Sequence, residues 1–373
     1  MRMLLLLLAV AAFSVKANPP KNLILVTIDG VRWQEVFNGA DAALLDSDFS
    51  KHKETLKAAY WRGSAQARRQ ALMPFFWETI ATQGSYMGDR NQGSNMRVAN
   101  PWYFSYPGYS EMVTGVVDEQ INSNDKFPNP QRSFLEYLKD QPGYEAPPAV
   151  FASWDVFPAI FNRERSGLYI NAGFETAEGK QTPAQIQFLN QLQTQIPSPW
   201  DSVRLDAFTY HYSKDYLLRQ KPRVMMLALG EPDDFAHDGN YDEYLHGIHR
   251  ADSLIADLWA TLQSTPGYKD NTLMMVTTDH GRGQGVADWQ HHSSRQALAK
   301  KSPEALAHFP EGILGSEQIW LAAIGPGIKA QGLLRPEKEP TQAQIAATAL
   351  TLLGEDPNKF NAQAAAPIKE LMP

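Results

Sequence analysis

The chain reads as an α/β protein, with a mostly parallel central sheet flanked by helices. Three observations predict this. Short apolar runs recur along it, as in strands buried on both faces of a parallel sheet. Segments of helical periodicity lie between them. Several of the runs stop abruptly at Asp, His or Gly, which is how strands end where open α/β sheets hold their ligands. The most telling is residues 273–283, LMMVTTDHGRG, in which Asp279 and His280 follow the run and two glycines let the chain turn behind them.

Length and composition narrow the classes. The 373 residues suffice for one large domain with insertions. A net charge of −7 without a basic stripe gives no indication of a nucleic-acid partner. The chain has no cysteine, which excludes disulfides, thiolate metal sites and a cysteine nucleophile. Any metal must be held by His, Asp, Glu or hydroxyl oxygen.

In chain order, residues 1–17 read as a signal peptide. Arg2 is the positive start, residues 4–13 the apolar core and Val15-Lys16-Ala17 the cleavage pattern. The core is too short to span a bilayer, and no later stretch reaches membrane length. The expected product is a single catalytic domain, residues 18–373, periplasmic or secreted, with no membrane span after cleavage. Residues 22–30 form the first strand, ending in Asp29-Gly30. Residues 41–72 read as surface helix, residues 73–84 as an amphipathic helix stopped by Gly84, and residues 85–105 as loop. Pro107-Gly108 reads as a turn, so a helix begins after it with Ser110 near its N-terminus, where the dipole favours anionic oxygen.

Asn122 and Asn124 follow in a polar loop, then a short helix at 133–139 and a strand at 149–154. Residues 155–200 look irregular, carry Arg163 and Arg165, and suggest a cap-like insertion. A helix at 201–219 precedes the strand at 224–230. Beyond it Asp233 and His237 stand four apart, so one helical turn puts them on one face. A long amphipathic helix covers 242–263, and its His246 and His249 read as ordinary surface or boundary residues. Trp289 and the pair His291-His292, a strand at 319–324 and a helix at 341–353 complete the order.

The chemistry lies at the strand ends. Asp29, Asp233, His237, Asp279, His280 and the His291-His292 pair supply carboxylate and imidazole without thiolate. That donor set suits Zn²⁺ ahead of Mn²⁺ or Fe, and there are ligands enough for two ions. Two such ions clamp an in-line displacement at phosphorus. Ser110 offers a hydroxyl that a metal can activate as a nucleophile.

These fragments, in this order, resemble the alkaline phosphatase superfamily, which includes nucleotide pyrophosphatase/phosphodiesterases and cofactor-independent phosphoglycerate mutases. The resemblance rests on Thr27-Ile28-Asp29-Gly30, Tyr109-Ser110-Glu111 before Thr114-Gly115, Glu231-Pro232-Asp233 with His237, Thr278-Asp279-His280-Gly281 and a later histidine. It implies an alkaline-phosphatase-like fold over most of residues 22–354. It also implies one zinc on Asp29, Asp279 and His280 with Ser110 as nucleophilic ligand. A second zinc would sit on Asp233, His237 and one of the histidine pair, His292 being favoured by its place three residues after Trp289. Phosphodiesterase relatives have Thr at the position of Glu111, so Ser110 matches the mutase form better. The sulfatase signature is missing.

For the substrate, a small-molecule phosphate ester, the resemblance gives two cues. Phosphodiesterases use an Asn that Asn122 or Asn124 matches. Monoesterases add cations for the extra charge of the dianion, and Arg163 and Arg165 are the candidates. The expectation is an exported two-metal phosphoesterase that hydrolyses monoesters through Ser110. Phosphodiester or pyrophosphate hydrolysis is the alternative, and a metal-containing periplasmic binding protein the non-enzymatic one.

Overall fold

Asn22–Ile28, the first apolar run, is the middle strand of the sheet. The computed structural model of the chain describes residues 19–178 and 182–372. The expected signal peptide lies outside the described residues. Among the described residues there are eight strands: β1 Asn22–Ile28, β2 Ser85–Met87, β3 Ala149–Ala152, β4 Tyr169–Ala172, β5 Val224–Leu229, β6 Thr272–Thr277, β7 Leu321–Ile324 and β8 Gly332–Leu333. They form one sheet in the order β4-β3-β5-β1-β6-β7-β2-β8. From β4 to β6 every neighbouring pair is parallel, while β7 runs antiparallel to both β6 and β2.

The apolar runs are continuous because each strand feeds a core on both faces. Ile24, Val26, Met225, Leu227, Met274 and Val276 enter one core, and Leu23, Leu25, Val224, Met226, Leu273 and Met275 the other. Full burial of one such side chain contributes about 1.5–3 kcal/mol. The helix Tyr241–Ser264 covers the first face through Leu245, Ile248, Ile255, Leu258 and Leu262. Gln344–Leu352 covers the second through Ile345, Ala346, Ala349 and Leu350, beside the helix Ser105–Thr114. The architecture is the α/β sandwich that the sequence predicts. No helix among the described residues is long and apolar enough to cross a membrane.

Three segments differ from expectation. Ser85–Met87, in the expected loop, pairs with β7 and β8; three residues are too few to show a strand period. Residues 155–200 are less irregular than expected. They supply the edge strand β4, which pairs with β3, and the helix Ala184–Gln195. Most consequentially, the helix expected to follow Pro107-Gly108 begins at Ser105 and carries both residues in its first turn. Proline is tolerated there because its missing N–H would have no intrahelical partner anyway.

Candidate active site

Register brings the first two carboxylates together. Thr27 pairs with Thr277 across β1 and β6. Asp29 and Asp279, each two residues farther on, leave the sheet side by side at its carboxyl edge, where Gly30 N–H donates to Asp279 Oδ1 at 3.2 Å. Gly30 has φ +60°, and a Cβ there would stand 2.2 Å from Asp233 Oδ1, so the turn requires glycine. On the neighbouring strand, β5 runs directly into the helix Glu231–His237. Gly230 and Pro232 do not break it, because Asp206 caps its N-terminus from another helix: Oδ1 accepts from Gly230 N–H at 2.7 Å and Oδ2 from Glu231 N–H at 3.2 Å. That helix sets Asp233 and His237 on one face, with Oδ2 and Nε2 3.1 Å apart.

Two groups of three potential ligands result. In the first, His280 Nε2 lies 3.5 Å from Asp29 Oδ1 and 3.4 Å from Asp279 Oδ2. Burial raises the Asp29 carboxyl well above its ordinary range, and the neighbouring Asp279 and Asp233 raise it further. Burial also raises Asp279. Asp29 Oδ1 and Asp279 Oδ2 are buried without any hydrogen-bond partner. Converging carboxylates with orphaned oxygens are what a bound cation would satisfy, so these residues fit a divalent metal. In the second group, His237 Nε2 and His292 Nε2 are 3.1 Å apart and His292 Nε2 is 4.0 Å from Asp233 Oδ1. Burial pushes His292 well below the usual imidazole range, which keeps it neutral, as a metal ligand must be. Burial would raise Asp233, but the Arg282 guanidinium beside it holds it well below the carboxylate range. The groups adjoin: the His280 and His292 rings stack at 3.8 Å between centroids.

The serine at this site is not Ser110. Its side chain is buried in the helix interior, where Oγ accepts from Asn129 Nδ2 at 3.0 Å. Ser105, one and a half turns earlier, places Oγ 3.3 Å from His280 Nε2 and lines the cavity in front of both groups. Two contacts bring that helix close. At Gly108 a Cβ would be 2.6 Å from Asp279 O, and at its own turn Tyr109 hydroxyl donates to Asp29 Oδ2 at 3.0 Å. Because Pro107-Gly108 forms the first helical turn rather than a turn before the helix, Ser105 and not Ser110 faces the cavity.

The other expected residues divide. Asn124 lines the cavity; its Oδ1 accepts from Tyr106 N–H at 3.0 Å, which leaves the amide nitrogen available to a ligand. Asn122 does not line it and turns back to Glu119 O. His292 is the histidine of the pair that faces the site, while His291 packs against Phe309. Arg163 and Arg165 do not reach the cavity. Arg163 pairs with Glu175 at 2.7 Å, and Arg165 pairs with Glu136 and donates to the carbonyls of Asn129, Pro130 and Gln131. As expected of ordinary residues, His246 meets Tyr60 hydroxyl and His249 meets Leu72 O. The cavity is about 170 Å³, and its wall beyond the two groups includes Trp154, Ser202, Val203 and Asp234. Among the described residues, no Lys or Arg lines it.

The family model for type I phosphodiesterase/nucleotide pyrophosphatase matches residues 46–312. The chain belongs to that family. It therefore falls within the alkaline phosphatase superfamily and is a hydrolase of the phosphodiesterase/pyrophosphatase kind. Solved structures agree on the fold of this phosphodiesterase-family chain. The alkaline phosphatase PafA is 13% identical, with a TM-score of 0.58 over 95% of this chain and 99% of that one. A sulfatase from Bacteroides thetaiotaomicron is 13% identical with a TM-score of 0.54, covering 95% and 73%. The 2-O GAG sulfatase BT1596 is 14% identical with a TM-score of 0.53, covering 95% and 72%. No curated protein matches the chain.

Proposed function

We propose that the chain is a two-metal phosphodiesterase with Ser105 as its nucleophile. The observation that carries the diester reading is the charge of the cavity wall. A monoester carries about −1.5 to −2 at neutral pH and a diester only one charge. Extra cationic side chains are the usual answer to the extra charge, and among the described residues none lines the cavity. Trp154 and Val203 offer apolar surface to a second ester group instead. At about 170 Å³ the cavity holds the phosphoryl centre and only part of the substituents, below the ~300–1,000 Å³ of pockets that enclose drug-sized ligands.

Asp29, Asp279 and His280 would hold one metal, and Asp233, His237 and His292 the other. Three carboxylates and three imidazoles without thiolate favour zinc. Bound there, the metals would supply Lewis acidity at the phosphoryl oxygens and lower the pKa of attacking hydroxyl groups. The chain's own contribution is placement. Ser105 stands at the first turn of its helix, where backbone N–H groups and the dipole favour a phosphoryl group. Asn124 is positioned to donate its amide to a phosphoryl oxygen. Ser105 Oγ bonds to phosphorus as the bond to the departing alkoxide breaks, and the serine's proton ends on that alcohol. Water then breaks the Oγ–P bond, which restores the serine and releases a phosphomonoester.

The test is hydrolysis of bis-p-nitrophenyl phosphate against p-nitrophenyl phosphate, with and without EDTA. The diester is expected to show the higher kcat/KM, and EDTA to abolish both activities. A preference for the monoester overturns the diester reading. We propose in addition that the protein is exported, on the charge and apolar pattern of residues 1–17. Mass spectrometry of the mature protein should then find Asn18 at the N-terminus, and an intact Met1 on exported protein would contradict it.

A further inference from the structure

The three histidines of the site are not set alike. His280 Nδ1 lies 2.9 Å from Gly281 O, and His292 Nδ1 lies 3.1 Å from Tyr103 O. A carbonyl only accepts, so in both rings Nδ1 carries the proton and Nε2 turns a lone pair toward the site. That is the arrangement in which an imidazole ligates through Nε2, its other nitrogen held by a carbonyl.

His237 is set the opposite way. Its Nδ1 lies 3.3 Å from Nη2 of Arg282. A guanidinium only donates, so Nδ1 accepts and the proton of the neutral ring sits on Nε2. His237 Nε2 is 3.1 Å from Asp233 Oδ2 and 3.1 Å from His292 Nε2, and both of these accept. The proton thus points at the two atoms with which that nitrogen would share a metal. Arg282 is firmly held. Its side chain is fully buried, Nε donates to Trp289 O at 3.0 Å, Nη2 donates to Gln290 O, and Nη1 donates to Asp233 Oδ1.

We propose that Arg282 is a lock on the Asp233–His237–His292 group, so that this group takes its metal second and more weakly than Asp29–Asp279–His280. The proposal rests on the two-metal reading above. For His237 to ligate through Nε2, the proton must leave that nitrogen. If it moves to Nδ1 it meets the Arg282 N–H, donor against donor. The guanidinium also sets a fixed positive charge beside any cation bound to Asp233. Loading therefore requires Arg282 to withdraw from His237. The first group has no arginine against its histidine: that ring is already in the ligating tautomer, and two of the group's carboxylate oxygens are unpartnered.

The experiment titrates zinc alone into the metal-stripped full chain, by calorimetry and by NMR of ¹⁵N-labelled histidine. Two binding steps are expected, the second weaker by ~10-fold or more, the range that residues behind a metal ligand commonly command. His280 should respond to the first equivalent, and His237 and His292 to the second. In the metal-free protein His237 should be the Nε2–H tautomer, and His280 and His292 the Nδ1–H tautomer. Arg282→Gln should bring the two steps together by tightening the second. Equal steps in the wild type, prior filling of the Asp233 group, or an Nδ1–H tautomer of His237 in the metal-free protein would each overturn the lock. If Arg282→Gln fails to fold, the tautomer of His237 in the wild type still decides. Failure to bind any zinc would remove the two-metal reading, and the lock with it.

Discussion

Ser105 and Ser110 share a helix, yet only one of them meets the cavity, and substitution separates their roles. Ser105→Ala is expected to retain fold and metal while turnover falls by several orders of magnitude, since water is a poorly placed substitute for an oriented hydroxyl. Ser110→Ala loses the hydrogen bond from Asn129, worth about 1 kcal/mol, and should keep near-normal turnover. Single-turnover kinetics with metal analysis on both variants checks this; equal losses would mean that Ser105 is not the nucleophile. The two arginines make a second residue-scale contrast. Arg165 satisfies three successive carbonyls and a carboxylate. Its replacement by Ala should lower unfolding free energy by about 1–3 kcal/mol and leave the diester-to-monoester ratio unchanged. Denaturant titration and the two nitrophenyl esters measure both effects, and a changed ratio would bring Arg165 back into the substrate site.

At the scale of elements, the site depends on how closely one helix approaches one strand end. Gly108 lets the helix Ser105–Thr114 rest on the Asp279 backbone. Gly108→Ala would put a methyl group 2.6 Å from Asp279 O, and neither backbone can yield without moving Ser105 or Asp279. We expect a loss of about 1–3 kcal/mol together with reduced zinc content, seen by chemical denaturation and elemental analysis. Full metal retention at normal stability would show that the helix has slack. The helix Glu231–His237 shows a comparable dependence on a distant group. Its capping carboxylate, Asp206, is supplied from another helix rather than from the adjacent sequence.

At the scale of the whole molecule, the sheet order brings three separated strand ends to one edge, and the surrounding helices are tied by buried carboxylates. Asp252 is one of these. It accepts from Phe75 N–H at 2.8 Å and Phe76 N–H at 2.9 Å, and burial pushes its pKa up to about 7. A carboxyl raised in the folded state binds its proton more tightly there than in the unfolded chain. Its favourable contribution is complete below the ordinary value of 3.8 and is lost as pH rises through about 7. The slope is at most about 1.4 kcal/mol per pH unit. Wild-type melting temperature should therefore fall from about pH 4 to about pH 7 relative to Asp252→Asn. Parallel pH profiles for the two proteins would show that Asp252 does not titrate in this window.

The sequence alone marks the buried strands, because a strand covered on both faces must be apolar throughout. It also marks the Asp29, Asp233, His237, Asp279 and His280 positions, because Asp29, Asp279 and His280 follow such a strand, Asp233 lies one turn beyond one, and His237 stands one turn beyond Asp233. Those are local signals, and a local pattern carries them. The choice between Ser105 and Ser110 turns on whether Pro107 opens a helix or ends a turn, and the packing of Gly108 on Asp279 decides that. Asn124 over Asn122 and His292 over His291 depend on which side chain reaches a cavity built from distant segments. Arg163 and Arg165 read in sequence as free charges, but the fold has already spent them on Glu175, Glu136 and backbone carbonyls. Arg282 looks in sequence like one more loop residue after Asp-His-Gly. Only the tertiary structure buries it against Asp233 and His237, because contacts between residues 45 to 49 positions apart leave no periodicity in the chain.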